Sequence, residues 1–120
     1  MNKIYYLSTC DTCKRIISEL ELKEKGFIFQ DIKTEKITAE QLEEMKNAVG
    51  SYEALFSRIA RKYKELRLGG KCLTESDYKN YILQEYTFLK RPAIFIGNKL
   101  FVGNTKAVIA AAKTELEHLK

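Results

Sequence analysis

Long apolar runs and low-complexity segments are both missing from this 120-residue sequence, and these absences exclude several classes of protein. No apolar run approaches the roughly 20 residues that a bilayer-spanning helix needs. The first residues, Met1-Asn2-Lys3-Ile4, lack the apolar stretch of a signal peptide. No linker or repeat divides the chain. We therefore expect one domain over residues 1–120, located in the cytoplasm and with no membrane partner.

Histidine and cysteine are also scarce, which argues against a metal centre. The sequence has one histidine and three cysteines. A structural zinc site needs four closed ligands, and beyond Cys10 and Cys13 only Cys72 and His118 could supply them. Because there is no second Cys-x-x-Cys or histidine pair, we expect no metal and no tightly bound cofactor.

The pair of thiols at Cys10 and Cys13 is the most informative pattern in the chain. The pair follows an apolar run at 4–7 and begins a segment with helical spacing. Unpaired N–H groups and the positive dipole at the start of a helix stabilise a thiolate, which is the reactive form of cysteine. In the cytoplasm such a pair is interpreted as redox-active, with Cys10 as nucleophile and Cys13 as resolving thiol. We expect Cys72 to be an inert, partly buried thiol.

Hydrophobic periodicity predicts a βαβ unit, a helical segment, and then a β-hairpin with a final helix. The βαβ unit is predicted as a strand at 3–7, a helix at 11–25 capped by Ser8, Thr9 or Asp11, and a parallel strand at 27–32. The helical segment is predicted to contain capped helices that begin at Thr38 and Thr74 and a further helix at 51–58. The last part is predicted as strands at 93–96 and 99–102 and a helix at about 105–119.

This order of elements is that of an α/β thioredoxin-like (glutaredoxin-like) fold. Such a fold has a mixed sheet, and here a helical insertion at about 37–88 separates the βαβ half from the C-terminal ββα half. In these folds the residue before the third strand is usually a cis proline beside the active cysteine. Pro92, the only proline, stands at that position.

Three motifs together resemble the ArsC/Spx family over essentially the whole chain. They are the Cys-x-x-Cys-Lys that ends at Lys14, Leu89-Lys90-Arg91-Pro92-Ala93-Ile94, and Val102-Gly103-Asn104. The family includes glutaredoxin-coupled arsenate reductases, Spx-type redox regulators of transcription, and small relatives. The resemblance therefore implies thiol-based redox chemistry.

The resemblance also implies roles for particular residues. In the arsenate reductases the cysteine that matches Cys10 attacks arsenic, and three arginines hold the oxyanion. Arg91 matches the second arginine, beside Pro92, and Arg58 falls near the first, although an ion pair with a carboxylate is an equal alternative for Arg58. Gly103 stands where the third arginine belongs, and the reductases usually lack a thiol at the position of Cys13. Both departures favour the Spx-like branch over arsenate reduction.

Two functions follow as hypotheses. The first is an oxidoreductase that acts on arsenate or another thiol- or glutathione-linked substrate, with glutathione as co-substrate and glutaredoxin or thioredoxin as partner. The net charge of +5 suits such anionic ligands. The alternative is a redox-sensing regulator that binds RNA polymerase, without direct sequence-specific DNA binding. We expect a monomer in either case.

Overall fold

The computed structural model describes residues 1–118, which form four strands and five α-helices. The strands are β1 (Asn2–Tyr6), β2 (Ile28–Asp31), β3 (Ala93–Ile96) and β4 (Lys99–Val102). The helices are α1 (Asp11–Glu19), α2 (Ala39–Val49), α3 (Arg61–Glu65), α4 (Glu75–Gln84) and α5 (Lys106–Glu117). The predicted end of the last helix at Leu119 lies outside the described residues. No helix within residues 1–118 is both long and apolar enough to cross a membrane.

The contacts divide the chain into two compact units. The first unit comprises Met1–Glu35 and the residues from Arg91 onward, and the second comprises Lys36–Lys90. A single domain over 1–120, with an insertion at about 37–88, stays a prediction.

The first unit is built on one mixed sheet in the order β2-β1-β3-β4. Strand β1 pairs in parallel with β2, and antiparallel with β3, which continues antiparallel to β4. The βαβ unit and the hairpin predicted from the sequence are therefore both confirmed. Together with the flanking helices, this is the predicted α/β thioredoxin-like fold.

Helices α1 and α5 pack on one face of this sheet. The alternation along the strands places Ile4 opposite Ile94, and both side chains are buried against the helices. Their shared core consists of Ile4, Ile16, Leu20, Leu22, Phe27, Ile94, Ile96, Ile109, Ala112 and Leu116. Each helix buries its apolar face against the sheet. This packing fixes the position of α1 and of the residues at its start.

Helix α1 is shorter than the predicted 11–25, because it ends at Glu19 in a Schellman motif. The N–H of Glu21 donates to the carbonyl of Ser18, and the N–H of Leu22 donates to that of Ile17. Glu21 takes the left-handed conformation, with φ of 54°. The prediction was wrong because this position usually carries glycine, and the hydrophobic period continued through Leu22, which is fully buried beyond the helix.

The second unit contains two helices that begin as predicted. Thr38 and Thr74 are N-caps, and each forms a capping box, with Gln41 and Asp77 respectively. These reciprocal hydrogen bonds satisfy N–H groups that the first turn of each helix leaves unpaired.

The predicted helix at 51–58 is wrong, because only a 3₁₀ turn forms there, at Glu53–Leu55. Phe56 is extended and pairs with Leu89 in an isolated bridge. Its ring is fully buried and stacks on Phe88 at 5.0 Å between ring centroids. Burial of this aromatic ring in the core of the second unit thus overrides the local helical spacing.

Candidate functional site

Cys10 is itself the N-cap residue of α1. Its carbonyl accepts the N–H of Lys14 at 3.1 Å, and its own N–H donates to the Leu7 carbonyl at 3.0 Å. The predicted caps Ser8, Thr9 and Asp11 are therefore wrong, and the Cys10 side chain makes no regular cap hydrogen bond. A thiol takes the place of the usual capping oxygen, at the positive end of the helix.

The pKa of Cys10 is lowered from its ordinary value. Partial burial acts to raise this pKa, but the backbone N–H and the thiol of Cys13, the charge of Arg91 and the backbone N–H of Thr12 together outweigh it. Although the sulfur makes no regular cap hydrogen bond, the amides at the start of α1 still stabilise its negative charge. Cys10 is also partly exposed, so a reagent can reach it.

The pKa of Cys13 is shifted in the opposite direction, to about 11. The main cause is burial, since the side chain has no exposed surface. A hydrogen bond to Cys10 and the negative charge of that thiolate raise the pKa further. Cys13 is therefore a protonated thiol at neutral pH and donates its hydrogen to the Cys10 sulfur.

Arg91 contributes positive charge to both thiols, since it lowers the pKa of Cys10 and acts in the same direction on Cys13. It precedes the cis peptide bond to Pro92, whose carbonyl accepts the N–H of Gly103 at 2.9 Å. The Nη1 atom of Arg91 is buried and finds no hydrogen-bond partner within residues 1–118. A buried cationic donor without a partner is costly, and an anionic group would relieve that cost.

Asp31 is a neighbour of this site that the sequence did not indicate. Its carboxylate accepts the backbone N–H of Lys33 at 3.1 Å and that of Ser8 at 3.4 Å. The Ser8 hydroxyl is the main cause of a lowered pKa at Asp31. Parallel pairing of Tyr6 with Asp31 places this carboxylate beside the turn that leads to Cys10. The sequence signal that could have indicated Asp31 is its position, as an acidic residue at the end of the strand that pairs in parallel with β1.

Arg58 belongs to the second unit, where its guanidinium is already paired. It donates to the Glu53 carboxylate at 2.8 Å and to the Tyr78 hydroxyl at 3.0 Å. This is the ion pair that stood as the alternative, and the role of Arg58 in anion binding stays a prediction. Cys72 is exposed, so the expectation of a partly buried thiol was wrong. Within residues 1–118 no group of three or more metal-binding side chains comes together.

Comparison with known proteins supports this fold and family. The family model described as the ArsC family matches residues 5–112, which confirms the resemblance seen in the motifs. None of the curated proteins matches the sequence significantly.

Several solved structures share the fold over nearly the whole chain. An arsenate reductase from Vibrio cholerae has a TM-score of 0.77 at 17% identity, covering 92% of this chain and 95% of its own. A protein from Bacteroides fragilis described as related to the ArsC family has a TM-score of 0.77 at 22% identity, covering 99% and 97%. An arsenate reductase-related protein from Brucella melitensis has a TM-score of 0.68 at 26% identity, covering 92% of each chain.

Proposed function

The chain belongs to the ArsC family, and from that premise we propose that it is a thiol-based oxidoreductase in which Cys10 is the nucleophile and Cys13 the resolving thiol. The observation that carries the proposal is the opposite shift of the two pKa values at the start of α1. The lowered pKa favours the reactive thiolate at Cys10, and the raised pKa keeps Cys13 protonated. Arg91, whose buried Nη1 has no hydrogen-bond partner among residues 1–118, supplies positive charge for an anionic substrate.

In the first step the Cys10 thiolate attacks one sulfur of a substrate disulfide, such as oxidised glutathione. A bond forms between the Cys10 sulfur and that sulfur, the substrate disulfide breaks, and the leaving thiolate takes up a proton from solvent. Arg91, held beside Pro92, binds the negative charge of the substrate, because a guanidinium stays charged and grips carboxylates and oxyanions with two N–H groups.

In the second step Cys13 attacks the Cys10 sulfur of the mixed disulfide. The Cys13 proton passes to solvent, a disulfide joins the two cysteines, and a second substrate thiol is released. The mixed disulfide removes the Cys10 charge that raises the Cys13 pKa, so that formation of the intermediate favours deprotonation of the resolving thiol. Two electrons pass from the dithiol to the substrate. Glutaredoxin or thioredoxin, or glutathione when the substrate is a disulfide other than its own, then reduces the protein.

The proposal is tested by trapping thiols with iodoacetamide after brief exposure to oxidised glutathione, followed by peptide mapping. We expect glutathione on Cys10 in the Cys13→Ser variant, and a Cys10–Cys13 disulfide in the wild type. The Cys72→Ser variant is the matched control and should behave as the wild type. A map dominated by links to Cys72 would overturn the assignment of nucleophile and resolving thiol.

The alternative is a redox-sensing regulator of the Spx type that binds RNA polymerase. Two departures from the arsenate reductases support this alternative: glycine at position 103 and a second thiol at position 13. The same Cys10–Cys13 disulfide would then change a binding surface instead of completing a turnover. Capture of RNA polymerase that differs between the oxidised and reduced protein, without turnover of disulfide or arsenate, would favour the regulator.

A further inference from the structure

A groove runs between α1 and α5 in the first unit. Three cations, Arg15, Lys106 and Lys113, line its upper end, which lies beside the start of α5. This end is a cavity of about 340 Å³. It is lined by Arg15, Glu19, Asn104, Lys106, Ile109, Ala110 and Lys113. Within residues 1–118 none of the three cations forms an ion pair. The positive N-terminal end of α5, a helix of 12 residues, adds to their field.

The groove continues beyond this cavity, and its charge changes along the way. A second cavity of about 250 Å³ shares Glu19 and Lys113 with the first. Its other lining residues are Leu20, Glu21, Lys25, Leu116 and Glu117. Lys25 is already paired with Glu21 at 3.4 Å, which leaves two carboxylates, Glu19 and Glu117, against the one cation Lys113 at this lower end. The groove is thus basic beside the starts of the two helices and acidic beside their ends.

The length of the groove indicates the shape of the ligand. Lys106 and Glu117 lie at its two ends, eleven residues apart on one helix, which corresponds to about 16 Å at 1.5 Å per residue. An extended peptide covers this length with about five residues, at about 3.3 Å each. A compact small anion would reach the basic end alone and leave the rest of the groove unused.

We propose that this groove binds an extended acidic segment of a protein partner. The acidic residues of the segment would lie against Arg15, Lys106 and Lys113, an aliphatic side chain would contact Ile109, and a basic residue would reach Glu117. Charge complementarity of this kind raises the rate of encounter and fixes the register of a complex. This proposal rests on the proposed function, because α1 also carries Cys10 and a partner seated on it would bring its own thiol or disulfide to that helix.

The test is a titration of the isotope-labelled, reduced full-length protein with the peptide Ac-Glu-Asp-Leu-Ala-Lys-NH2, followed by backbone amide NMR shifts. We expect shifts along α1 and α5, around Arg15, Lys106 and Lys113. The amide peptide Ac-Gln-Asn-Leu-Ala-Lys-NH2, which replaces both carboxylates and so carries a net charge of +1 instead of −1, should bind weakly. Raising the salt concentration should weaken the binding of the acidic peptide. The peptide has no thiol, so its binding is independent of the redox chemistry and should persist in the Cys10→Ser variant.

Charge reversal gives the matched comparison. The double variant Lys106→Glu/Lys113→Glu should raise the dissociation constant of the acidic peptide about tenfold or more. The double variant Lys23→Glu/Lys33→Glu makes the same change of net charge outside the groove. It should change the dissociation constant of the acidic peptide little. Absence of shifts up to about 5 mM peptide, equal binding of the amide peptide, or equal losses of affinity in the two double variants would overturn the proposal.

Discussion

Slow modification of Cys13 is the prediction on which the dithiol model depends most directly. A pKa of about 11 leaves about one Cys13 in 10,000 as thiolate at pH 7. An ordinary free cysteine, with a pKa of about 8.5, is about 3% thiolate at that pH. The ratio of thiolate populations is therefore about 300 in favour of the ordinary cysteine.

Intrinsic nucleophilicity offsets part of this difference. Because thiolate reactivity rises with pKa, with a Brønsted slope of about 0.4–0.5, a thiol about 2.5 units more basic gains roughly tenfold. The net expectation is that Cys13 reacts about 17- to 30-fold more slowly than an ordinary cysteine at pH 7. Since its side chain has no exposed surface, access to the reagent slows the reaction further.

The assay is iodoacetamide labelling of the reduced protein, with each cysteine followed by mass spectrometry between pH 6 and pH 10. The Cys13 rate should rise about tenfold per pH unit through this window, because its folded-state pKa lies above it. In the Cys10→Ser variant the Cys13 rate should rise, since the hydrogen bond and charge of Cys10 contribute to the raised pKa. Labelling of Cys13 as fast as the exposed Cys72 would refute the reasoning.

Four further outcomes are expected. Because the pKa of Cys13 is higher in the folded protein than in the unfolded chain, this thiol stabilises the fold below about pH 9. The free energy of unfolding, measured by urea denaturation, should therefore fall by about 3 kcal/mol toward pH 11. The fall should be smaller in the Cys13→Ala variant. Glu21→Gly should stabilise the protein by about 0.5–1 kcal/mol in the same assay, because it relieves the left-handed strain and loses only the exposed pair with Lys25. Arg91→Ala should raise the pKa of Cys10 and slow its labelling at pH 6, whereas Arg91→Lys should retain part of the effect, and an unchanged pH profile would remove Arg91 from the site. Glutathione-dependent arsenate reduction should be weak, because each charged hydrogen bond missing at Gly103 costs about 1.5–3 kcal/mol, or about 10- to 150-fold in binding, and efficient turnover would contradict this.

Local sequence alone predicts several features of this protein. The short apolar runs at 4–7 and 93–96 predict strands, because they are rich in residues that favour strands and the second is bounded by Pro92 and the Gly97-Asn98 turn. Thr38 and Thr74 predict helix starts, because the capping box needs only residues three positions apart. Cys10 at the junction of a strand and a helix likewise indicates a stabilised thiolate, because Thr12 and Cys13, which donate to its sulfur, follow it within one helical turn.

Other features depend on residues that are distant in the chain, and only the tertiary structure decides them. The segment 51–58 is not helical because Phe56 is drawn into a cluster of aromatic rings supplied by residues 22 to 32 positions later. The unpaired Nη1 of Arg91 becomes visible only when β3 is placed beside β1, since burial is a property of the packed chain. The pKa of Cys13 is raised chiefly because the packing of α1 on the sheet removes water from its thiol, and no spacing of residues encodes that loss of solvent.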